Sequence, residues 1–222
     1  MNLLLGRHLL GRHILAGKAG SAVVIVDYPF VDNTFVIDLY DAQGQRVAQI
    51  GSDILSSPIC SLEFELVSTG CGAFKLTLDR QFNQEISYNQ RIDIRLFGDG
   101  QPWYSGYVQK RPQPGSTDMT LEYSGYGFFQ QLDRIVVNKT YENIEIASIV
   151  HDLMASMIEP GTDIVYSASK IYSTGYTAEK LAFDYVKAKE AIKTLAEFAT
   201  NYVYGVDEYR ELYFKPLITE IN

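Results

Sequence analysis

Little in this chain is suited to chemistry or to cross-linking. Its 222 residues hold two cysteines, three histidines and one tryptophan, and 19 lysines and arginines stand against 27 acids, a formal charge of −8. Cys60 and Cys71, without a CxxC spacing, exclude a disulfide-framed scaffold and a paired-cysteine zinc site. Cys60 begins a strand pattern and Cys71 lies in the following turn, "STGCGAF". Free thiols in a reducing compartment are expected, although a tight hairpin could bring the two together. The acid excess excludes a general affinity for DNA phosphates or anionic lipid. It is also local, since the 13 acids and 7 cations from Tyr141 onward account for −6 of it.

Long apolar runs are missing too. No stretch approaches the roughly 20 residues of a bilayer-crossing helix. In the N-terminal "MNLLLGRHLLGRHILAGKAGS", Arg7, His8, Arg12 and His13 interrupt the apolar run. That breaks the h-region of a secretory signal. A soluble protein that stays where it is made, unless a larger assembly carries it out, is the expectation, with no membrane insertion.

Catalytic signatures are equally scarce. There is no Walker lysine motif, GxSxG or HExxH. His8 and His13, in the duplicated "LLGRH" and "LLGRHIL", would need a third ligand, and His151 belongs to a different element. They read as polar residues on an extended arm, and His151, beside Asp152 and off the apolar stripe, as a solvated side chain. Glu63 and Glu65 share a strand face, where ordinary polar-face glutamates are far commoner than a glycosidase pair. No catalytic, cofactor or metal residue is assigned, and an enzyme is disfavoured.

What the chain does have is strand pattern and tyrosine, 16 of them. "AVVIV" reads as a buried strand. "FVIDLY" puts Phe35, Ile37 and Leu39 on one face, and "DAQGQ" turns into "RVAQI". "SLEFELV" aligns Leu62, Phe64 and Leu66; "AFKLTLD" aligns Phe74, Leu76 and Leu78; "MTLEY" aligns Met119, Leu121 and Tyr123. In "RIDIRL", Ile92, Ile94 and Leu96 point in and Arg91, Asp93 and Arg95 out. Short alternating strands between Gly-containing turns describe an antiparallel sandwich or barrel.

Beyond Tyr141 the period changes. Ile146, Ile149, Val150, Leu153, Met154 and Met157 recur at helical spacing and stop at Pro160-Gly161. A polar, Tyr-rich connection leads to a second helix in "DYVKAKEAIKTLAEFATNY", with Ala188, Ile192, Leu195, Ala196 and Ala199 on one face. "YVYGVDEYRELYFKPL" closes as a hairpin turning at Asp207 to Arg210. The fold class is α+β: an arm over 1–21, a β-barrel or sandwich over 22–140, and a two-helix plus hairpin subdomain over 141–222.

The strongest local signal, "YNQRIDIRLFGDGQPWYSGYV", carries no reactive group. Gly98, Asp99 and Gly100 make the turn, and Gly106 inside the second strand marks a bulge or a close backbone approach. Tyr104 reads as core, whereas Trp103 and Tyr107 share the opposite face. They are candidates for a subunit interface or a glycan platform, with Gly98, Asp99, Gly100 and Gly106 shaping the backbone around them.

Taken in order, this hairpin, "MTLEYSGYGFFQQLDR", the "IASIVHDLM" helix and "KEAIKTLAEFATNYVYGVDEYRELYF" resemble the hub proteins of phage tails. That group includes baseplate hubs of contractile tails and the N-terminal part of siphophage tail-associated proteins. The resemblance spans about 58–217. It implies a tube domain whose copies form a ring, adapting the tail tube to the tip or spike. Three copies are implied, with six as the alternative. Partners would be the neighbouring tube or distal tail ring and tip or spike proteins, DNA only passing through. Such a protein would reside in the virion after assembly in the host cytoplasm. The resemblance also implies two tube barrels per chain. Here one is legible, so residues 1–57 or another protein would supply the second. A distal tail ring protein and a carbohydrate-binding β-module are the competing readings.

Overall fold

The computed structural model describes residues 2–6, 13–15, 24–26, 35–51, 57–82, 85–96, 100–113 and 118–217. The chain divides into two compact units, Met1–Gly127 and Phe128–Asn222.

The first unit contains β1 (Asn2–Gly6), β2 (His13–Leu15), β3 (Val24–Val26), β4 (Phe35–Tyr40), β5 (Arg46–Gly51), β6 (Ile59–Val67), β7 (Gly70–Asp79), β8 (Arg91–Leu96), β9 (Tyr104–Lys110) and β10 (Thr120–Gly127). Its main sheet runs β1-β6-β7-β10-β9-β8-β4-β5, with every neighbouring pair antiparallel, and β2 pairs separately with β3. Among the described residues no pairing joins β1 to β5, so the path is an open sheet.

The alternating apolar positions make the core of this unit. Ile37 and Leu39 of β4, Phe64 of β6, Leu76 of β7 and Ile92 and Ile94 of β8 are buried in one cluster. Strand alternation sends every second side chain to that face. Met119 departs from the pattern: it precedes β10 and is exposed, while Tyr123 is buried. The β4–β5 turn is held by Asp41, whose Oδ1 accepts from the Gln43 and Gln45 amides, and Gly44 supplies the positive φ. Both cysteines are free, Cys71 buried and Cys60 half-buried. They are not brought together, because Cys71 lies opposite Leu66 while Cys60 sits at the other end of β6.

The second unit begins with a 3-10 turn, Phe128–Arg134, followed by β11 (Val136–Glu145), α1 (Ile146–Leu153), a π turn (Met154–Ile158) and α2 (Glu159–Gly161). After a 3-10 turn at Ala168–Lys170 come β12 (Thr177–Lys187), α3 (Ala188–Phe198), β13 (Tyr202–Val206) and β14 (Leu212–Pro216). β11 and β12 form a two-stranded antiparallel ribbon, and β13 and β14 form the closing hairpin. α1 buries Ile146, Ile149, Val150 and Leu153, and α3 buries Ala188, Ile192, Leu195 and Ala196, the faces read from the period. The π turn lies just ahead of Pro160. A proline ring there clashes with the carbonyl four residues earlier, that of Ser156, and the wider turn accommodates it.

The second helix starts later than its sequence suggests. Asp184 to Lys187 belong to β12, where Asp184 and Tyr185 together oppose Asn138 in a β-bulge. Tyr185 takes the left-handed backbone that this needs, φ 52°. No described helix is long and apolar enough to cross a membrane.

Candidate functional site

The β8–β9 hairpin places its aromatics unequally. Tyr104 is fully buried; its hydroxyl donates to the Gly72 carbonyl at 2.7 Å, and its ring lies 5.4 Å from Phe64 and 5.8 Å from Phe74. Burial pushes its phenol well above the ordinary tyrosine range, so it stays a hydrogen-bond donor. Gly106 is a close approach: a Cβ there would fall 2.7 Å from the Tyr104 hydroxyl and from the Tyr126 carbonyl. Tyr107 is only 2% exposed and is paired across strands with Arg91 and Tyr126. Trp103 packs partly buried against the core, its amide donating to the Ile94 carbonyl at 2.8 Å. Gly100 is exposed with open space around it, and Gly98 and Asp99 lie outside the described residues.

The face of β4, β5 and β8 opposite the core is where charge collects. Asp38 and Asp93 are direct cross-strand neighbours, and both are buried. Like charges so placed destabilise a sheet unless they are compensated. Asp38 accepts from Arg95 at 2.6 Å, from Gln49 Nε2 at 2.8 Å and from Arg46 at 3.5 Å. Asp93 accepts from Arg91 Nε at 2.9 Å and a second Arg91 nitrogen, and from the Ser105 hydroxyl at 2.5 Å. The Arg91 guanidinium also lies 4.1 Å from the centre of the Tyr40 ring. Burial, then the Asp93 and Asp38 charges, raise the Tyr40 phenol above its ordinary range.

These carboxylates are held by guanidinium, amide and hydroxyl donors that tie β4, β5, β8 and β9 in register. The out-facing set Arg91, Asp93 and Arg95 is legible in "RIDIRL", but not its burial. The available signal is an acid flanked at i−2 and i+2 by arginines, with a second acid, Asp38, in an equally apolar strand.

In the second unit, Asp152 of α1 accepts from the Tyr141 hydroxyl at 2.5 Å and from Lys139 Nζ at 2.9 Å, and Lys139 also reaches Ser156 Oγ at 2.9 Å. Ser156 Oγ donates a hydrogen bond to the Asp152 carbonyl at 2.6 Å. That hydroxyl is a helix back-bond, and Lys139 tethers β11 to α1. Burial raises the Tyr141 phenol, and its bond to Asp152 raises it further. His151 is not simply solvated: its Nδ1 lies 2.8 Å from the Tyr166 hydroxyl, with the rings edge to face. Lys170 bridges Asp207 and Glu211 at the β13–β14 turn. Burial would lower its pKa, but the two carboxylates outweigh that and hold it at about 12. Glu63 lies opposite Lys75 across the β6–β7 pair, on the polar side of a half-buried strand, with Glu65 two positions on.

No protein-family profile matches the chain, and no curated protein matches its sequence. Solved structures do share its fold. The 43 kDa tail protein of prophage MuSo2 from Shewanella oneidensis superposes with a TM-score of 0.58 at 15% identity, over 84% of this chain and 56% of that one. Prophage tail protein gp18 from Listeria monocytogenes gives 0.53 at 9% identity, over 83% and 51%. A tail protein from Neisseria meningitidis gives 0.50 at 13%, over 82% and 51%. The chain therefore spans about half the length of the tail proteins it matches. At these identities the likeness is one of fold, and the fold is that of prophage tail proteins.

Proposed function

We propose that the chain is a structural tail protein of a phage virion, forming a ring around the DNA channel at the tip or baseplate. In this reading it adapts the tail tube to the tip or spike and performs no catalysis. The observation that carries the reading is the fold shared over 84% of the chain with a prophage tail protein. The sheet supports it as well. Among the described residues the path ends at β1 and β5, which leaves two strand edges for lateral contact with a neighbouring copy. The arm over 1–21, the tube domain over 22–140 and the subdomain over 141–222 are its working parts. Trp103 and the turn Gly98, Asp99 and Gly100 face a neighbouring copy, with Gly106 and Tyr107 setting the backbone and packing behind them.

The test is the mass and symmetry of the purified full chain by light scattering and electron microscopy, alone and mixed with tail-tube and tip proteins of the same source. A ring of three or six copies is the expected result. A monomer that ignores those partners overturns the reading, and glycan binding would then be the next measurement.

A further inference from the structure

The charged sheet face has more donors than acceptors. Three guanidinium groups, those of Arg46, Arg91 and Arg95, meet two carboxylates to which Gln49 and Ser105 also donate. Arg91 is engaged with Asp93 through two nitrogens. Arg95 gives one nitrogen to Asp38, while its Nε is buried without a hydrogen-bond partner. Arg46 touches Asp38 only at 3.5 Å, and its side chain is 52% exposed. On a chain of net charge −8 this group carries one net positive charge and unused guanidinium donors.

The opposite imbalance occurs on the β12 ribbon. Asp184 and Glu179 have no ion-pair partner among the described residues, and both are exposed. Beside Asp184, Tyr185 is 74% exposed in a left-handed backbone at φ 52°. A bulge re-aims side chains. A tyrosine held there in a strained conformation and left in solvent is a candidate anchor, since such strain concentrates at contact sites.

We propose that the Asp184–Tyr185 bulge of one copy docks on the arginine face of the next. The Asp184 carboxylate accepts from Arg46 and Arg95, and the Tyr185 ring lies against the Arg46 guanidinium. Charge complementarity selects this occupant: carboxylates without partners meet guanidiniums with spare donors, and Arg with Tyr is the pairing favoured at interface anchors. A contact between two different surfaces is heterologous and repeats from copy to copy, closing into a ring when the rotation allows. The inference rests on the ring reading above.

The experiment is sedimentation of the full chain as wild type, R46E, D184R and the double swap R46E/D184R, at about 50 mM and 500 mM salt, with tail-tube and tip proteins added where assembly needs them. Each single reversal is expected to weaken assembly at least about tenfold, the range of close interfacial charge pairs. The double swap should restore it, and high salt should shrink the difference. R46A, which adds no negative charge beside Asp38, checks that R46E acts on assembly and not on folding. Y185G should raise the thermal midpoint of the chain while weakening assembly, because glycine relieves the positive φ. A structural role alone would not produce that split. Assembly indifferent to R46E and D184R overturns the contact and leaves the ring intact. Loss with R46E but not D184R overturns it in favour of an acidic segment from another tail protein. A wild-type chain that never assembles overturns contact and ring together.

Discussion

At the scale of single residues, Tyr104 and Asp38 show how the two faces of one sheet are held by different physics. Tyr104 fills the apolar side and satisfies the Gly72 carbonyl. Tyr104→Phe keeps the ring and loses the bond, so a loss of about 1–3 kcal/mol is expected, from the carbonyl left without its partner. Tyr104→Ala should cost about 3–5 kcal/mol through the cavity it opens. Urea unfolding of both variants checks the order; equal losses would mean that the hydroxyl, not the ring, dominates. On the other side, Arg95→Met removes the 2.6 Å partner of a buried aspartate. A buried charge stripped of its partner destabilises by about 3–5 kcal/mol, and because Gln49 and Arg46 still reach Asp38 the loss should fall below that range. Arg46→Ala, whose tie to the same carboxylate is long and exposed, should cost under about 1 kcal/mol.

At the scale of elements, Glu145 is the junction between β11 and α1. One carboxylate oxygen caps the helix by accepting from the Ser148 amide at 2.9 Å; the other accepts from the Thr174 amide at 2.7 Å and hydroxyl at 2.8 Å. Burial alone would raise its pKa, but the Thr174, Ser148 and Ala147 donors outweigh it and bring the group down to about 2. A folded pKa below the unfolded one means stability present above the unfolded value of about 4.5 and lost as pH falls from there towards 2. Glu145→Gln should flatten that part of the stability-versus-pH curve, measured by unfolding at pH 6, 4 and 2.5. A slope unchanged by the substitution would assign the acid sensitivity elsewhere. Elements were legible in proportion to how one-sided their burial is. β7 alternates because one face packs on the core, and both helices carry a single apolar stripe. β11 and β12 hide from such a reading because their ribbon is buried at few points, such as Val137, Tyr141 and Phe183, and elsewhere mixes polar residues with exposed apolar ones such as Val136 and Ile144. The same limit hid the candidate site. Pattern places Arg91, Asp93 and Arg95 together on one face, but only strand order brings Asp38 beside Asp93 and Arg46 within reach of Asp38.

At the scale of the whole molecule, redox state and charge constrain the ring reading. Along β6, the six residues from Cys60 to the partner of Cys71 span roughly 20 Å at the usual strand rise. A disulfide needs Cα atoms within about 7 Å. Non-reducing mass spectrometry should therefore find no intrachain bridge, with Cys60 labelled before Cys71 in the native protein; a bridged species would require a different register. The charge argument is more demanding. Duplex DNA is retained by patches that neutralise several phosphates at once. The guanidiniums gathered on β5 and β8 exceed the Asp38 and Asp93 carboxylates by a single charge, too few to neutralise several phosphates, and the chain as a whole carries −8. A protein placed around passing DNA should then show no shift of duplex DNA in electrophoresis at about 0.1 M salt, even at tens of micromolar. Micromolar binding that weakens steeply with salt would reveal a phosphate-binding surface and would set the channel reading aside, because a lumen that holds its cargo by many cations cannot let it slide.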